Sequence, residues 1–170
     1  MPGESLQIEP LELLERVLGR KTCLAGIGNP LRADDGVGPY LIGKLKEELA
    51  VGQAELIAVE DVPENYAFPI ARLNVENVVF VDAVVAQGPP GTVLFGPLEE
   101  FEEVGEPAST HKLALRLTGR VIAESGKKVF LLGIVPASTE FGKGMTPAIK
   151  QVADELGRLI IGFLRRSGDG

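Results

Sequence analysis

One histidine, one cysteine and no tryptophan among 170 residues remove several kinds of chemistry at once. A single cysteine, Cys23, allows neither an intramolecular disulfide framework nor a Cys-rich metal knuckle, and a reducing cytoplasm is the simplest compartment that fits. Cys23 lies inside an apolar run and reads as an inert core thiol. A single histidine, His111, excludes the paired histidines of an H-E-x-x-H zinc helix. No G-x-S-x-G elbow is present, so a nucleophilic serine has no support. Long hydrophobic runs are missing too: none approaches the roughly 20 residues that cross a bilayer. The acidic start (Glu4, Glu9, Glu12) lacks the basic region of a secretory signal, and no membrane insertion is expected. Lys and Arg number 17 against 24 Asp and Glu, and the net charge of −7 argues against nucleic acid, whose phosphates need a basic face.

What remains is ordinary globular material: 45% of the residues are hydrophobic, and a chain of this length buries roughly 70% of its unfolded surface without covalent staples. A single domain over residues 1–170 is expected, and a monomer. Ile8, Leu11, Leu14 and Leu18 place a short amphipathic helix within an N-terminal extension, residues 1–20. Thr22 to Ile27 reads as a buried strand, followed by a Gly/Pro/Asp loop and a helix over Gly36 to Leu49. A second strand at Leu56 to Val59 precedes a helix from Pro63 to about Leu73. Val78 to Val81 forms a third strand ending on Asp82 and Ala83, and after the turn QGPPG a fourth runs over Thr92 to Phe95. A helix from His111 to Ala123, capped by Ser109 or Thr110, leads to the last strand at Val129 to Val135. The last helix covers Thr146 to Leu164, and residues 166–170 read as a disordered tail. Alternating strands and helices predict a three-layer α/β fold: a mostly parallel twisted sheet of about five strands, with helices on both faces. In such sheets the ligand sits beyond the C-terminal strand ends, so polar residues just after strands are the ones to weigh.

The densest of these is GIGNPLRADDGVG, Gly26 to Gly38. A dinucleotide fingerprint fails because its third glycine would fall on Leu31, and a P-loop reading of GPYLIGKL fails because Leu45 stands where a hydroxyl is needed. The loop still offers two adjacent carboxylates, Asp34 and Asp35, at a helix N-terminus. Helix capping accounts for Asp34; two acids exceed what a cap requires, and the surrounding glycines admit close approach by another chain. Gly28, Asn29, Asp34 and Gly36 are therefore candidates for a substrate-contacting loop. Asp82 ends a strand where open α/β sheets place catalytic groups. His111 begins a helix whose start faces the same edge. An imidazole with two carboxylates is a sensible three-ligand set for a divalent transition metal with open positions.

These motifs, taken in order, resemble the hydrogenase maturation endopeptidases: GIGNPLRADDGVG, then VDA with PPGTV, then STHKLAL, then LLGIVP, spanning Thr22 to Leu164. PEN at Pro63 to Asn65 resembles the branch serving formate-hydrogenlyase-type and other energy-coupled hydrogenases. The resemblance implies an enzyme, grouped with aspartic-type endopeptidases. Its partner would be the precursor of a nickel–iron hydrogenase large subunit, from which it removes a C-terminal extension once nickel is in place. By motif position the nickel-contacting and catalytic residues would be Asp35, Asp82 and His111. The nickel would arrive with the substrate, and other divalent metals could occupy the same ligands. Some relatives carry Asp-Gly-Gly after the second strand; here the segment reads AVEDVPEN, with Glu60 or Asp61 as substitutes for the missing acid. Two rival readings are a non-catalytic nickel-binding chaperone and, more weakly, a nucleoside-processing enzyme on a related fold.

Overall fold

The apolar runs pair into one five-stranded sheet in the order β2-β1-β3-β5-β4. The structure, a computed structural model, describes residues 9–101 and 110–168, with side chains over 9–101 and 113–167. The strands are β1 (Thr22–Ile27), β2 (Glu55–Glu60), β3 (Asn77–Ala83), β4 (Val93–Pro97) and β5 (Lys128–Ile134). The helices are α1 (Pro10–Leu18), α2 (Val37–Glu48), α3 (Ala67–Ala71), α4 (Thr110–Glu124) and α5 (Pro147–Gly168). β1 is parallel to β2 and β3, and β3 to β5; β4 alone runs antiparallel, along the outer side of β5.

Side chains alternate across the sheet, and each face has its own core. Leu24, Val79, Val81, Leu132 and Ile134 meet α1, α2 and α5 on one face. Cys23, Ala25, Val78, Phe80 and Leu131 meet α3 and α4 on the other. β1 is buried at every position, as a central parallel strand covered on both sides must be.

Three local expectations change. The helix expected from Pro63 to Leu73 is a 3-10 turn, Pro63–Tyr66, followed by the short α3. Pro69 cannot donate to the carbonyl of Asn65, so one continuous helix is not available, and a new helix starts with Pro69 in its first turn. Part of the tail expected over residues 166–170 is helical, because α5 continues through Arg166–Gly168. There Ser167 Oγ donates to the carbonyls of Leu18 (3.4 Å) and Leu164 (3.3 Å). The proposed cap Ser109 lies outside the described residues, and Thr110 is already helical.

Within the N-terminal extension, α1 is part of the core. Leu14, Val17 and Leu18 of α1 are almost wholly buried. The Val17 carbonyl accepts hydrogen bonds from Thr22 Oγ1 (2.8 Å) and Asn77 Nδ2 (3.0 Å), which tie α1 to the starts of β1 and β3.

Candidate active site

The strand order changes direction between β1 and β3: from β1 the chain moves outward to β2, then returns across the sheet to β3. At such a switch point the loops leaving two adjacent parallel strands part, and a crevice opens beyond their C-terminal ends. Asp35 follows β1 and Asp82 ends β3, so topology brings both carboxylates to this one edge.

Three glycines let the backbones close up there. A Cβ at Gly38 would fall 2.4 Å from the carbonyl oxygens of both Ile27 and Val81, so the start of α2 sits flush on the ends of β1 and β3. A Cβ at Gly26 would lie 2.4 Å from the Gly38 oxygen, the reverse face of the same contact. Gly28, at φ 137°, would place a Cβ 1.8 Å from the Asp35 carbonyl oxygen. That is no room at all, and it explains the glycine by close approach as much as by its backbone angle. The Gly28 N–H donates to Glu60 O (2.9 Å). Glu60 is exposed and holds a positive φ of 62° beside a register shift between β1 and β2, a strained position at the same edge.

Asp35 lies in the 3-10 turn Ala33–Gly36 and is half-buried. Its Oδ2 accepts the Asn29 N–H at 2.8 Å, while Oδ1 receives no hydrogen bond from the described residues. One oxygen fixes the side chain and the other is available. Asp82 is 5% exposed and pairs in register with Gly133 of β5. It has the parity of Val78 and Phe80, which puts it on the face covered by α3 and α4.

Asp34 is not the helix cap that its position suggests; neither the 3-10 turn nor α2 has a side-chain cap. The residue is fully buried, and its carboxylate reaches across to the loop between β5 and α5. Oδ2 accepts the N–H groups of Ala137 (2.9 Å) and Ser138 (3.1 Å), Oδ1 accepts that of Thr146 (2.8 Å), and Thr146 Oγ1 lies 2.9–3.0 Å from both oxygens. Main-chain bonds continue the seam: Asp34 N to Ser138 O, Ala33 N to Lys143 O and Gly142 N to Leu31 O, all 2.8–2.9 Å. A buried carboxylate needs such a donor set. Here that set locks the loop carrying Asp35.

The PPGTV segment does the same for the loop after β3. Gly91 N donates to Val135 O (2.8 Å) and Val135 N to Thr92 O (2.9 Å), pinning this loop to the end of β5.

The side chain of His111 lies outside the described residues; its backbone is in the first turn of α4. α4 ends at Glu124, a tight turn follows, and β5 begins at Lys128. At about 1.5 Å per residue the helix spans roughly 20 Å, about the length of the strand it covers. Its first turn is thereby carried back to the edge that holds Asp35 and Asp82. Among the described residues no three His, Cys, Asp or Glu side chains form a metal-binding group.

Two other titratable groups belong to the scaffold. Cys23 is fully buried, and burial, with a smaller push from the Glu55 charge, raises its thiol to about 12. Tyr40 donates to Asp154 Oδ1 (2.7 Å), joining α2 to α5; desolvation first, then that bond and the charges of Asp154 and Glu47, raise its hydroxyl to about 12. A cleft of about 380 Å³ lined by Leu98, Arg116, Lys127 and Lys128 lies at the start of β5, the opposite edge from the acids.

Fold and edge together describe a three-layer α/β protein with Asp35 and Asp82 at the C-terminal edge of two adjacent parallel strands. Residues 39–162 match the family model of the HycI hydrogenase maturation proteases, and the chain belongs to that family. It is therefore a peptidase of hydrogenase maturation. The structure is similar to the nickel–iron hydrogenase maturation protease HycI of Thermococcus kodakarensis, with TM-score 0.80, 34% identity, and 90% of this chain and 99% of that one covered. It is also similar to the endopeptidase HycI of Escherichia coli, with TM-score 0.71, 25% identity, and 84% and 90% covered. In sequence it is 27% identical over 153 residues to the hydrogenase 2 maturation protease of Escherichia coli, covering 84% of this chain and 90% of that protein. No helix among the described residues is long and apolar enough to cross a membrane.

Proposed function

We propose that this protein cleaves the C-terminal extension from the nickel-loaded precursor of a nickel–iron hydrogenase large subunit, with Asp35, Asp82 and His111 meeting the nickel that the substrate carries. What supports this reading is topology: Asp35 and Asp82 follow or end the adjacent parallel strands β1 and β3 at their C-terminal edge, and the direction of α4 carries its first turn toward that edge. Two acids and an imidazole from three separate elements leave a metal partly open, as suits an ion whose other ligands belong to the substrate. Docking through nickel would place the scissile bond beside the carboxylates, and correct placement alone can lower a barrier by roughly 7–11 kcal/mol.

Hydrolysis then needs one water. Its oxygen attacks the scissile carbonyl carbon while a carboxylate takes its proton. The C–N bond breaks and the proton passes to the departing nitrogen, leaving a new carboxylate on the large subunit and a free amine on the released peptide. Oδ1 of Asp35 receives no hydrogen bond from the described residues, while Asp82 lies deeper and suits the role of a fixed ligand. The requirement for nickel would act as a check, since a precursor without metal lacks the contact that orders the site.

The test offers apo and nickel-loaded precursor to chelator-treated enzyme and follows peptide release by mass spectrometry. Cleavage confined to the nickel-loaded form is expected. Equal cleavage of both forms would sink the nickel checkpoint, and binding of the nickel-loaded form without any shortened product would favour the chaperone reading.

A further inference from the structure

Two large apolar side chains stand in solvent, one on the loop that carries Asp35 and one on the loop joined to it: Leu31, 63% exposed, and Phe141, 67% exposed. They belong to loops more than a hundred residues apart in sequence, yet the loops lie against each other. Gly142, next to Phe141, donates its N–H to the Leu31 carbonyl at 2.8 Å, and Ala33 N donates to Lys143 O at 2.9 Å. Beneath them the buried Asp34 carboxylate bolts one loop to the other through Ala137, Ser138 and Thr146. The exposure is thus held by a rigid frame and does not come from loose chain. Asn29 couples this frame to the acid: its Oδ1 accepts the Leu31 N–H (2.9 Å) while its own N–H is donated to Asp35 Oδ2 (2.8 Å). Single exposed apolar residues are common on protein surfaces and need no explanation. An exposed Leu on the loop that carries a catalytic candidate, and an exposed Phe on the loop bolted to it by a buried carboxylate, are a different matter.

We propose that Leu31 and Phe141 form a hydrophobic clamp that grips an apolar side chain of the polypeptide substrate next to the bond to be cut. The inference rests on the endopeptidase reading for its occupant: a peptidase of this family must lay a polypeptide across the edge where β1 and β3 end, and the clamp is continuous with that edge. The surroundings have the anatomy of a small binding patch. Arg32 next to Leu31, and Glu140 and Lys143 flanking Phe141, are exposed, and charged neighbours of this kind suit the polar rim of an apolar contact. The clamp selects by the apolar character of a residue beside the scissile bond. The metal ligands select by nickel, so the two checks are independent.

Both residues are exposed, so Leu31→Ser and Phe141→Ser should fold and melt as the parent does. Two readouts separate the clamp from the cleavage reaction. Affinity for nickel-free precursor, measured by interferometry, should weaken roughly tenfold for each variant, the scale of an interface anchor. With nickel-loaded precursor the same loss should appear in KM rather than kcat, and the double variant should lose less than the product of the single losses, because both side chains grip one residue. Unchanged affinity in both variants, or no binding by the parent protein, would overturn the clamp. A parent protein that binds both precursors and cleaves neither would overturn the endopeptidase reading, and the affinities would still decide the clamp.

Discussion

At the residue scale, Asp34 and Asp35 show how neighbours of the same type diverge through their partners. Asp34 is enclosed and satisfied by donors from a distant loop; Asp35 has one oxygen tied and one that receives no hydrogen bond from the described residues. Asp34→Ala should therefore cost about 3 kcal/mol, several times a lost cap, because charge-assisted hydrogen bonds vanish and buried N–H groups lose their acceptor. Asp35→Asn should stay within about 1 kcal/mol of the parent and lose processing. Urea unfolding of both variants, alongside peptide release, checks the pair; a milder effect for Asp34 would mean the seam holds without its carboxylate. Cys23 makes a second residue-scale case. Its thiol is raised from 9.0 to about 12, so the folded state keeps a proton that the unfolded state sheds above pH 9. That contribution to stability is fully present below pH 9 and is lost as pH rises toward about 12. Native protein should be inert to a disulfide reagent at pH 8 and react once unfolded. Fast reaction in the native state would contradict the burial.

At the scale of elements, contacts between backbones explain why particular helices sit where they do. α2 approaches β1 and β3 until the chain has room only for glycine at 26 and 38. Gly38→Ala should push α2 off the strand ends, with a loss of about 2 kcal/mol and a fall in activity beyond that of an equally destabilised core variant, since the Asp35 loop moves with the helix. Thermal melts and activity measured together would reveal a merely structural effect if activity followed stability. α1 tests a different relation between elements. Its sequence reads as an extension, but three nearly fully buried aliphatic side chains and two bonds to the Val17 carbonyl make it a wall of the core. Deleting residues 1–19 should remove at least about 5 kcal/mol of burial, comparable to the whole stability of many domains. Circular dichroism of the truncated chain should show loss of cooperative folding, and a native-like melt would return α1 to the status of an appendage.

Across the whole molecule, the central strands and the C-terminal edge of the sheet are held by different means. β1, β3 and β5 are central and sealed on both faces, while the C-terminal edge holds the acids and the bolted loops. Hydrogen exchange should reflect this: slowest in the three central strands, and unusually slow for loop amides at Ala33, Asp34, Ser138 and Thr146, whose N–H groups are all engaged across the seam. Fast exchange at these four would mean that the edge is ordered only when substrate arrives.

Local pattern alone determined the run of strands and helices, because a period of two or 3.6 and the punctuation of Gly and Pro act within a dozen residues. It also marked Asp35 and Asp82, since acids that follow buried strands in a parallel sheet can only emerge at its C-terminal edge. It placed His111 at the start of a helix, and the length and direction of α4 then set the edge which that start reaches. Tertiary structure decided what local pattern could not: β4 as an antiparallel outer strand, α1 as core, and Asp34 as a bolt rather than a cap. The partners of Asp34 lie 103 to 112 residues away along the chain. Only the stacking of β1 and β5 loops beyond a common sheet edge makes them neighbours, and the hydrogen bond from Gly142 to Leu31 has the same origin. No periodicity within either segment carries that information, because the energy that selects it comes from satisfying a buried charge between segments and not from the conformational preference of either one.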